Sequence, residues 1–593
     1  MCHRSLQVDY RGEQSMIIKG ISASPGVVIG PAVTISDIVK FETYKIKPSE
    51  IKKELIRLEV AIVTSKKQLH ELQTSSDSHL IPEKADVFQT HMQLLEDPLL
   101  LSEIIQKIHE EPLNIETIID VVFGNFIRKF SAMTDEYIKE RAVDLVDVRD
   151  RLLKNLLGLP HASTNPIQNR ETACIVVAKN LTPSQLVYMD KSRILGIAIE
   201  EGGTTSHVVL FARSLAIPTL VGVKDLMEVV INGETVVLDA LNGTIETDVS
   251  KKKLTGYRKV IKLIEKDKVK LEVYRNLRGI TIDKRRISLG MNIAFPAEAY
   301  QLKAFGAERV GLYRTEFLYM GRQNLPSEEE QYESYRDIAQ AIDGEVIIRT
   351  LDIGGDKNLP YLNFPKEDNP FLGWRAIRVS LESENMFKVQ LRAILRASES
   401  GNVKILYPLI SSVDEMKRCR VLVEEVKSEL RSENIPFSEN IEQGALIEVP
   451  AAVEIMDLLA DEVDFFSIGT NDLIQFSLGV DRANDRISKL YDPLHPGVLR
   501  LLKRIIVTAH KFKKPIGMCG EMAMNPEATV ILIGLGLRNL SMSGPSIPII
   551  KRLIRKLSYK EARKHAETCL KLASSEAIRN YLKPIMEQIF SED

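Results

Sequence analysis

The strongest candidate for a reacting side chain is His207, which lies in the stretch EGGTTSHVVLFARSLAIPTLVG at residues 201–222. The β-branched run Ile194–Glu200 predicts a strand before it, and the two glycines that follow allow a tight turn. Since Val208–Leu215 is typical of a helix, His207 falls in its first turn, beside free backbone N–H groups and the positive end of the helix dipole. An imidazole placed there can accept and hold a phosphoryl group, and Arg213 can reach the same anion. A histidine that only caps or packs at the helix start is the alternative interpretation.

A second group of polar side chains falls where predicted strands end in the C-terminal half. Its members are Arg314, Arg349, Glu448, Asn471, Asp472, Arg482 and Cys519. Arginine side chains bind phosphate and carboxylate in a bidentate manner, while Glu448 and Asp472 supply the hard oxygens that Mg²⁺ prefers. Any one of these residues could be part of a structural ion pair or a buried thiol. Because uncompensated charge at the rim of a core is costly, their gathering at strand ends favours a site for an anionic substrate with Mg²⁺.

Residues 280–593 follow a repeating strand-then-helix pattern, after a charged segment at 250–279 that predicts an exposed connecting helix and a hinge. Eight strand candidates are separated by amphipathic segments: ISLGMNI, RVGLYR, EVIIRT, VKILYPLI, GALIEV, VDFFSIG, PIGMCG and NLSMS. This pattern predicts a (β/α)8 barrel. Functional side chains of that fold lie at the carboxyl ends of the strands, which is where the second polar group falls.

Residues 16–40 and 162–249 are predicted to form one discontinuous α/β domain that carries His207. Met16–Ala32 is typical of two short strands around a Ser-Pro-Gly turn. Two short strands cannot bury a core by themselves, so they must pair with the β-rich region Thr172–Val249. The fold class predicted for the whole chain is therefore α/β and multidomain.

Residues 41–161 are predicted to be a helical bundle inserted into this domain. Apolar residues keep helical spacing over 51–72 and again over 138–156, and a third and a fourth helix are predicted between them. The insert contains no glycine-rich loop, so we expect it to dock a partner rather than to do chemistry.

Four polar side chains of the insert could contribute to such docking. Glu83, His91, Glu96 and Asp97 predict either an acidic, partly apolar face or an ordinary solvated helix face. Their spacing does not decide between the two.

Composition excludes several classes of function. The chain has 593 residues, a formal net charge of −2 and 44% hydrophobic residues, an ordinary globular profile with no bulk attraction to nucleic acid. Its five cysteines include no C-x-x-C pair, which argues against a disulfide framework or a zinc site. Apolar runs are too short for a bilayer span, and residues 1–15, an expected disordered extension, lack the apolar core of a signal peptide. We therefore expect a cytoplasmic protein without membrane insertion.

Several of these segments resemble one family. The stretch around His207 is similar to the phosphohistidine signature GG-x-T-S-H shared by phosphoenolpyruvate-dependent phosphotransferases and dikinases. In the C-terminal half the resemblance continues in GLYRTEFLYM, RTLDIGGDK, NPFLGWRAIR, DFFSIGTNDL and GMCGEMA. Because these long motifs occur in the family's order from Met16 onward, the chain is identified as a member of the enzyme I family, the phosphoenolpyruvate-protein phosphotransferases of the bacterial sugar phosphotransferase system.

The resemblance implies a function and a role for each candidate residue. His207 would take the phosphoryl group of phosphoenolpyruvate and pass it to a histidine of the phosphocarrier protein HPr, docked on the insert, as the first step of sugar uptake. Arg314, Arg349, Asn471, Asp472 and Arg482 would bind the substrate, Glu448 and Asp472 would bind Mg²⁺, and Cys519 would protonate C3 of the enolate to give pyruvate. The family also implies a homodimer formed through the barrels.

The chain departs from the family pattern at a few positions. Thr204 stands where many members carry arginine, Val449 where many carry threonine, and Leu186 where some carry a threonine that hydrogen-bonds the active histidine. The change at Leu186 bears on the orientation of His207. Two alternatives to the phosphotransferase are a dikinase-type enzyme and a regulatory phosphorelay protein. A dikinase needs a nucleotide-binding domain, and the chain has no G-x-x-x-x-G-K-[ST] motif.

Overall fold

The computed structural model describes most of the chain. The described residues are 16–35, 39, 41–74, 84–131, 136–159, 172–182, 185–186, 189–201, 208–209, 212, 217–320, 322, 324–354, 359, 361–362, 364, 367–482, 484 and 486–591. They form two compact units, divided between Lys266 and Asp267. Residues 1–15 and His207 lie outside the described residues. Among the helices that are described, none is both long enough and apolar enough to cross a membrane.

The N-terminal unit contains an eight-stranded sheet. Its strands are β1 (Met16–Lys19), β2 (Ile21–Ser24), β3 (Val27–Ile35), β4 (Cys174–Ala178), β5 (Ile194–Ile199), β6 (Thr219–Val221), β7 (Thr235–Asp239) and β8 (Thr244–Thr247), in the order β1-β8-β7-β3-β4-β5-β6-β2. β3 pairs in parallel with β4 and antiparallel with β7. The segments before and after the insert therefore share one sheet, which confirms the discontinuous α/β fold.

The first strands differ in detail from the prediction, because three strands form where two are expected. β1 pairs with β8 and β2 pairs with β6, so the two lie at opposite ends of the strand order although only Gly20 separates them. Gly26 forms the turn between β2 and β3 with a φ of +151°, and a Cβ there would stand 2.5 Å from Pro218 Cγ. Glycine is required at this turn because both the backbone angle and the space exclude a side chain.

The described residues of the insert form a bundle of five helices, one more than predicted. They are Ile51–Thr74, Lys84–Leu95, Pro98–Glu110, Ile115–Ser131 and Glu136–Leu156. Their buried faces form one apolar cluster, in which Leu69, Phe88 and Ile119 are fully buried. The additional helix, Ile115–Ser131, packs against Glu136–Leu156. A separate core of this kind is what an independently packed subdomain requires.

Of the four polar side chains considered as a docking face, the three that are described make contacts within the insert. His91 is fully buried, and its Nε2 lies 3.1 Å from Asp144 Oδ1. Asp97 caps helix Pro98–Glu110, with Oδ1 accepting from Leu99 N at 2.8 Å. Glu96 pairs with Lys66, and Glu83 lies outside the described residues. The prediction that His91 belongs to an exposed face is wrong, because the neighbouring helices cover its imidazole.

The connecting helix predicted near residues 250–279 spans Lys251–Arg275. The carbonyl of Arg275 accepts a hydrogen bond from Lys551 Nζ at 2.8 Å, and the same ammonium donates to Gly306 O at 2.8 Å. Carbonyl groups at a helix end have no partner within the helix, and a cation there satisfies them. The buried Lys551 therefore fastens the end of this helix to the C-terminal unit.

The C-terminal unit is a closed barrel of eight parallel strands. They are β9 (Ser288–Ile293), β10 (Arg309–Arg314), β11 (Val346–Arg349), β12 (Val403–Tyr407), β13 (Glu442–Ile447), β14 (Phe465–Ile468), β15 (Ile516–Met518) and β16 (Asn539–Met542). All eight predicted strands are present, and β16 closes on β9. The predicted (β/α)8 barrel is confirmed.

Helices cover the outside of the barrel. They are Pro296–Ala299, Leu302–Phe305, Glu328–Ala341, Ile377–Glu382, Glu384–Ala397, Val413–Ser432, Pro450–Glu454, Met456–Leu459, Thr470–Leu478, Pro496–Lys511, Pro526–Leu535, Ile547–Arg555, Tyr559–Cys569 and Ser575–Ser591; the N-terminal unit has a further short helix, Leu226–Val229. Helices outside and side chains inside bury both faces of the strands, which explains their nearly continuous apolar sequences. A small cluster fills the barrel lumen, namely Leu312, Ile347, Leu406, Leu446, Phe465 and Cys519.

Candidate functional site

The polar residues predicted at strand ends lie at the carboxyl ends of the barrel strands. Arg314 ends β10, Arg349 ends β11, Glu448 follows β13, and Cys519 follows β15. Asn471 and Asp472 occupy the first turn of helix Thr470–Leu478, directly after β14. The barrel topology brings these residues to one face because parallel strands end together. Arg482 lies beyond that helix.

Buried ion pairs connect part of this group. Arg349 Nη2 lies 2.7 Å from Glu316 Oε1, and its Nη1 lies 2.9 Å from Asp352 Oδ2. Burial alone would lower the pKa of Arg349, but the carboxylates of Asp352 and Glu316 raise it above its ordinary value. The guanidinium therefore stays charged inside the protein, at a place where a charge without partners would be costly.

Arg375 is a member of the site that strand-end reasoning missed. Its Nη2 lies 3.1 Å from Asp352 Oδ1 and 2.9 Å from Asp472 Oδ2, which joins the segments after β11 and β14. Its Nε and Nη1 are buried and have no hydrogen-bond partner among the described residues. Arg375 follows no strand directly, so its position in the segment NPFLGWRAIR was the available signal. Glu316, in the turn after β10, was missed for a different reason. The segment GLYRTEFLYM contains several polar residues, and the pattern alone does not distinguish Glu316 from the others.

Glu448 and Asp472 bring two carboxyl groups into the same buried region. Glu448 Oε1 accepts a hydrogen bond from Leu409 N at 2.6 Å. Burial, followed by the carboxylates of Asp472 and Asp352, raises the pKa of Glu448 to about 8, against the opposing effect of Arg349 and Arg375. Added positive charge would stabilise these carboxylates. In the described part of the chain no group of three or more His, Cys, Asp or Glu side chains has metal-binding geometry.

Cys519 is the thiol of the site. Its side chain is 5% exposed, and the Ser467 hydroxyl donates to its Sγ at 3.4 Å. Burial raises the pKa of the Cys519 thiol, whereas the Ser467 hydroxyl and Arg349 act in the opposite direction. Cys519 is therefore a protonated thiol at neutral pH, which is the form that can donate a proton.

The remaining predicted residues lie at the rim of this face. Arg314 is half-buried, and no carboxylate of a described residue lies within ion-pair distance of it. Asn471 and Glu521 form a reciprocal pair, with Asn471 Nδ2 donating to Glu521 Oε1 at 3.2 Å and Glu521 N donating to Asn471 Oδ1 at 3.0 Å. Arg482 Nη1 lies 3.9 Å from the same Glu521 oxygen. Glu521 thus holds two predicted substrate ligands together.

The surroundings of His207 are described only in part. Val208, Val209 and Ala212 are helical, which agrees with the helix predicted after His207. Leu186 is buried and belongs to the same apolar cluster as these three residues. Its effect on the His207 side chain stays a prediction.

Three family models match the chain. The model described as "PEP-utilising enzyme, N-terminal" matches residues 19–141, the "mobile domain" of the PEP-utilising enzymes matches 171–243, and their "PEP-binding domain" matches 268–559. His207 falls in the second match and the barrel site in the third.

Relatives over nearly the whole chain share one name, phosphoenolpyruvate-protein phosphotransferase. The one from Priestia megaterium is 42% identical over 567 residues, covering 95% of this chain and 98% of the relative. The one from Buchnera aphidicola subsp. Schizaphis graminum is 41% identical over 568 residues, covering 95% and 99%. The one from Staphylococcus aureus strain Mu50 is 40% identical over 575 residues, covering 96% and 100%. The chain belongs to the phosphoenolpyruvate-protein phosphotransferase family and is a phosphoenolpyruvate-utilising enzyme.

Proposed function

We propose that the chain transfers the phosphoryl group of phosphoenolpyruvate to His207 and then to a histidine of HPr, releasing pyruvate, as the first step of sugar uptake. The observation that supports this most strongly is the buried charged group at the carboxyl end of the barrel, in which two N–H donors of Arg375 have no partner among the described residues. Such donors suit a small anion that carries both a phosphate and a carboxylate.

The substrate is bound by the cations of the barrel face. The substrate ligands proposed from the sequence are Arg314, Arg349, Asn471, Asp472 and Arg482, and Arg375 adds to them. Asp472 accepts from Arg375 Nη2 at 2.9 Å and so orients that guanidinium. Because buried carboxylates already hold Arg349 and Arg375 in place, these two side chains lose little conformational entropy when the substrate binds.

Glu448 and Asp472 are proposed to hold Mg²⁺. Their carboxylates are both buried, and a Cβ on Gly469 would stand 2.5 Å from Glu448 Oε2, so Glu448 lies against the loop that leads to Asp472. Two hard anionic oxygens in one dry region fit this ion, which completes its coordination with substrate and water. When bound, Mg²⁺ neutralises charge on the phosphate.

Cys519 is proposed to complete the reaction. Loss of the phosphoryl group leaves an enolate, which becomes pyruvate when a C3–H bond forms and the S–H bond of Cys519 breaks. A positioned general acid contributes a factor of roughly 10²–10⁴ to the rate. The thiol is suited to this role because burial keeps it protonated at neutral pH.

The partners are proposed from the family and from the separate core of the insert. The five-helix insert has its own apolar cluster and is proposed to dock HPr. A homodimer formed through the barrels and a location in the cytoplasm are proposed with it.

The function is tested by mapping the label from phosphoenolpyruvate carrying ³²P, in the presence of Mg²⁺. We expect an acid-labile phosphoryl group on His207 and no label on the variant His207→Ala, which should still bind phosphoenolpyruvate. The matched control is His109→Ala, a histidine in the last turn of helix Pro98–Glu110. Label that persists in His207→Ala would contradict the assignment.

A further inference from the structure

A cavity with a partly polar lining lies inside the barrel, nearer than Cys519 to the amino-terminal ends of the strands. Its volume is about 50 Å³, and its polar lining includes Arg309, Glu345, Ser467, Asn539 and Ser541. Arg309 and Asn539 are the first residues of β10 and β16, so the cavity occupies the lumen at the end opposite to the substrate face. A polar cavity of more than roughly 15 Å³ can hold water.

Two serines connect this cavity to Cys519. Ser467, the third residue of β14, is buried and donates through Oγ to Cys519 Sγ at 3.4 Å. Ser541, the third residue of β16, donates to Asn292 Oδ1 at 2.6 Å, and Asn292 Nδ2 donates to the Cys519 carbonyl at 2.8 Å. One serine therefore contacts the thiol, and the other acts on the Cys519 backbone through Asn292.

Cys519 becomes a thiolate after it donates its proton, and a hydrogen-bond donor next to the sulfur stabilises that thiolate. Arg349 and Arg314 favour the thiolate electrostatically, whereas burial and Glu448 oppose it. Among the described side chains, Ser467 is the one whose hydroxyl donates to the sulfur. Ser467 also lines the lumen cavity, so a proton from water in that cavity can reach the sulfur without crossing the substrate face.

We infer that Ser467 is a positioning residue that holds the Cys519 thiol and returns a proton to its sulfur from water in the lumen cavity. The inference rests on the proposed role of Cys519. The S–H bond breaks as the C3–H bond of pyruvate forms. The Ser467 O–H proton then moves to the sulfur, while a cavity water gives its proton to Ser467 Oγ and is reprotonated from bulk solvent, so one solvent proton is consumed per pyruvate.

The test compares two substitutions at this position. Ser467→Ala removes the hydroxyl, and Ser467→Thr retains it, with the adjoining cavity to accommodate the additional methyl group. Ser380→Ala is the matched control, because it removes a buried serine hydroxyl that, among the described residues, donates to the Ala376 carbonyl at the start of its own helix and to no other group. Cys519→Ala gives the alkylation and the rate that remain when the thiol is absent.

The first measurement is the pH dependence of Cys519 alkylation by iodoacetamide. Loss of one hydrogen bond to the thiolate should move the midpoint upward by roughly half to one pH unit in Ser467→Ala. Ser467→Thr and Ser380→Ala should keep the midpoint of the original protein. Because alkylation needs no turnover, this measurement decides the inference even if the chain does not transfer phosphate.

The second measurement is the steady-state rate of pyruvate release with HPr as the phosphoryl acceptor, because each net turnover must return one proton to the sulfur. Ser467→Ala should reduce this rate about tenfold, with rescue by Ser467→Thr and little change in the phosphoenolpyruvate concentration at half-saturation. An unchanged alkylation midpoint overturns the inference, whatever the rate. So does a lower rate that Ser467→Thr does not rescue, because a structural defect would give that result. Absence of turnover in the original protein would instead contradict the proposed function.

Discussion

Arg375 has more hydrogen-bond donors than the described part of the chain uses. Its Nη2 serves both Asp352 and Asp472, while Nε and Nη1 are buried without partners among the described residues. A buried polar group without a partner costs about 1–3 kcal/mol. An anion that accepts from these donors recovers that free energy on binding. Arg375 is therefore a residue whose surroundings favour the substrate-bound protein.

We predict that Arg375→Lys lowers kcat/KM for phosphoenolpyruvate by roughly 100-fold, since lysine cannot reproduce the planar set of donors. Steady-state kinetics measure this change, and the thermal unfolding midpoint shows whether the fold is retained. Arg378→Lys, three residues further on, is the control, because the Arg378 guanidinium donates to the Leu372 and Gly373 carbonyls instead. Equal kinetics for Arg375→Lys and the original protein would remove Arg375 from the site.

At the scale of the secondary-structure element, the segments after the strands place the site residues. The turn Thr315–Leu318 follows β10 directly and carries Glu316, and helix Thr470–Leu478 begins two residues after β14 and carries Asn471 and Asp472 in its first turn. Free N–H groups and the positive dipole end at a helix start stabilise negative charge there. Short connections therefore decide which polar groups face the substrate.

A carboxylate also caps a helix start near the amino-terminal ends of the barrel strands. Asp283, just before β9, accepts from Tyr559 N at 2.9 Å and Lys560 N at 3.0 Å, the free donors at the start of helix Tyr559–Cys569. The Thr281 hydroxyl donates to the same carboxylate at 2.6 Å. These hydrogen bonds, that of Thr281 first, lower the pKa of Asp283 to about 2.

We predict that Asp283→Asn destabilises the C-terminal unit by less than about 1 kcal/mol, the low end for a helix cap because the carboxylate is exposed. A folded-state pKa below the ordinary value means that the carboxylate stabilises the fold fully above pH 4 and progressively less as the pH falls towards 2. Urea midpoints at several pH values should therefore differ between the two proteins at pH 7 and converge near pH 2–3.

The control is Asp343→Asn, which changes an exposed aspartate without a side-chain hydrogen bond to another described residue. Its urea midpoints should match those of the original protein at every pH. A difference that persists at low pH would contradict the cap.

At the scale of the whole molecule, the insert is separable from the sheet that carries it. β3 and β4 are neighbouring parallel strands, in register from Ala32 and Ile175 to Ile35 and Ala178. The insert between them has its own core. The distance from the end of β3 to the start of β4 is about four residues of strand, or roughly 13 Å. Residues 36–44 and 161–173 are long enough to span it.

We predict that deletion of residues 45–160 abolishes phosphoryl transfer to HPr and leaves phosphorylation of His207 by phosphoenolpyruvate within a few-fold of the original rate. The sheet and the barrel keep their cores, whereas the proposed docking surface is lost. Label transfer to purified HPr and label on the chain itself are measured in one assay, with circular dichroism to show that the sheet is retained. Transfer to HPr that survives the deletion would place docking elsewhere in the chain.

The sequence by itself determined the barrel and the position of most of its site. The eight strands show no period-two alternation of apolar and polar residues. Short β-branched runs between amphipathic helices predict them instead, and all eight are present. Parallel strands end at one edge, so Arg314, Arg349, Glu448 and Cys519 could be placed on a common face without a structure. The family motifs added the expected roles, because their order and length are specific.

Only the tertiary structure decided which distant groups meet. The Arg375–Asp472 pair joins residues 97 positions apart, Ser467 reaches Cys519 from another strand, and the helices of the insert bury His91. Likewise, β1 and β2 are adjacent in sequence but lie at opposite ends of the sheet order. Local patterns report which face of an element is apolar. They do not report which other element covers that face, since this depends on contacts between residues far apart in the chain.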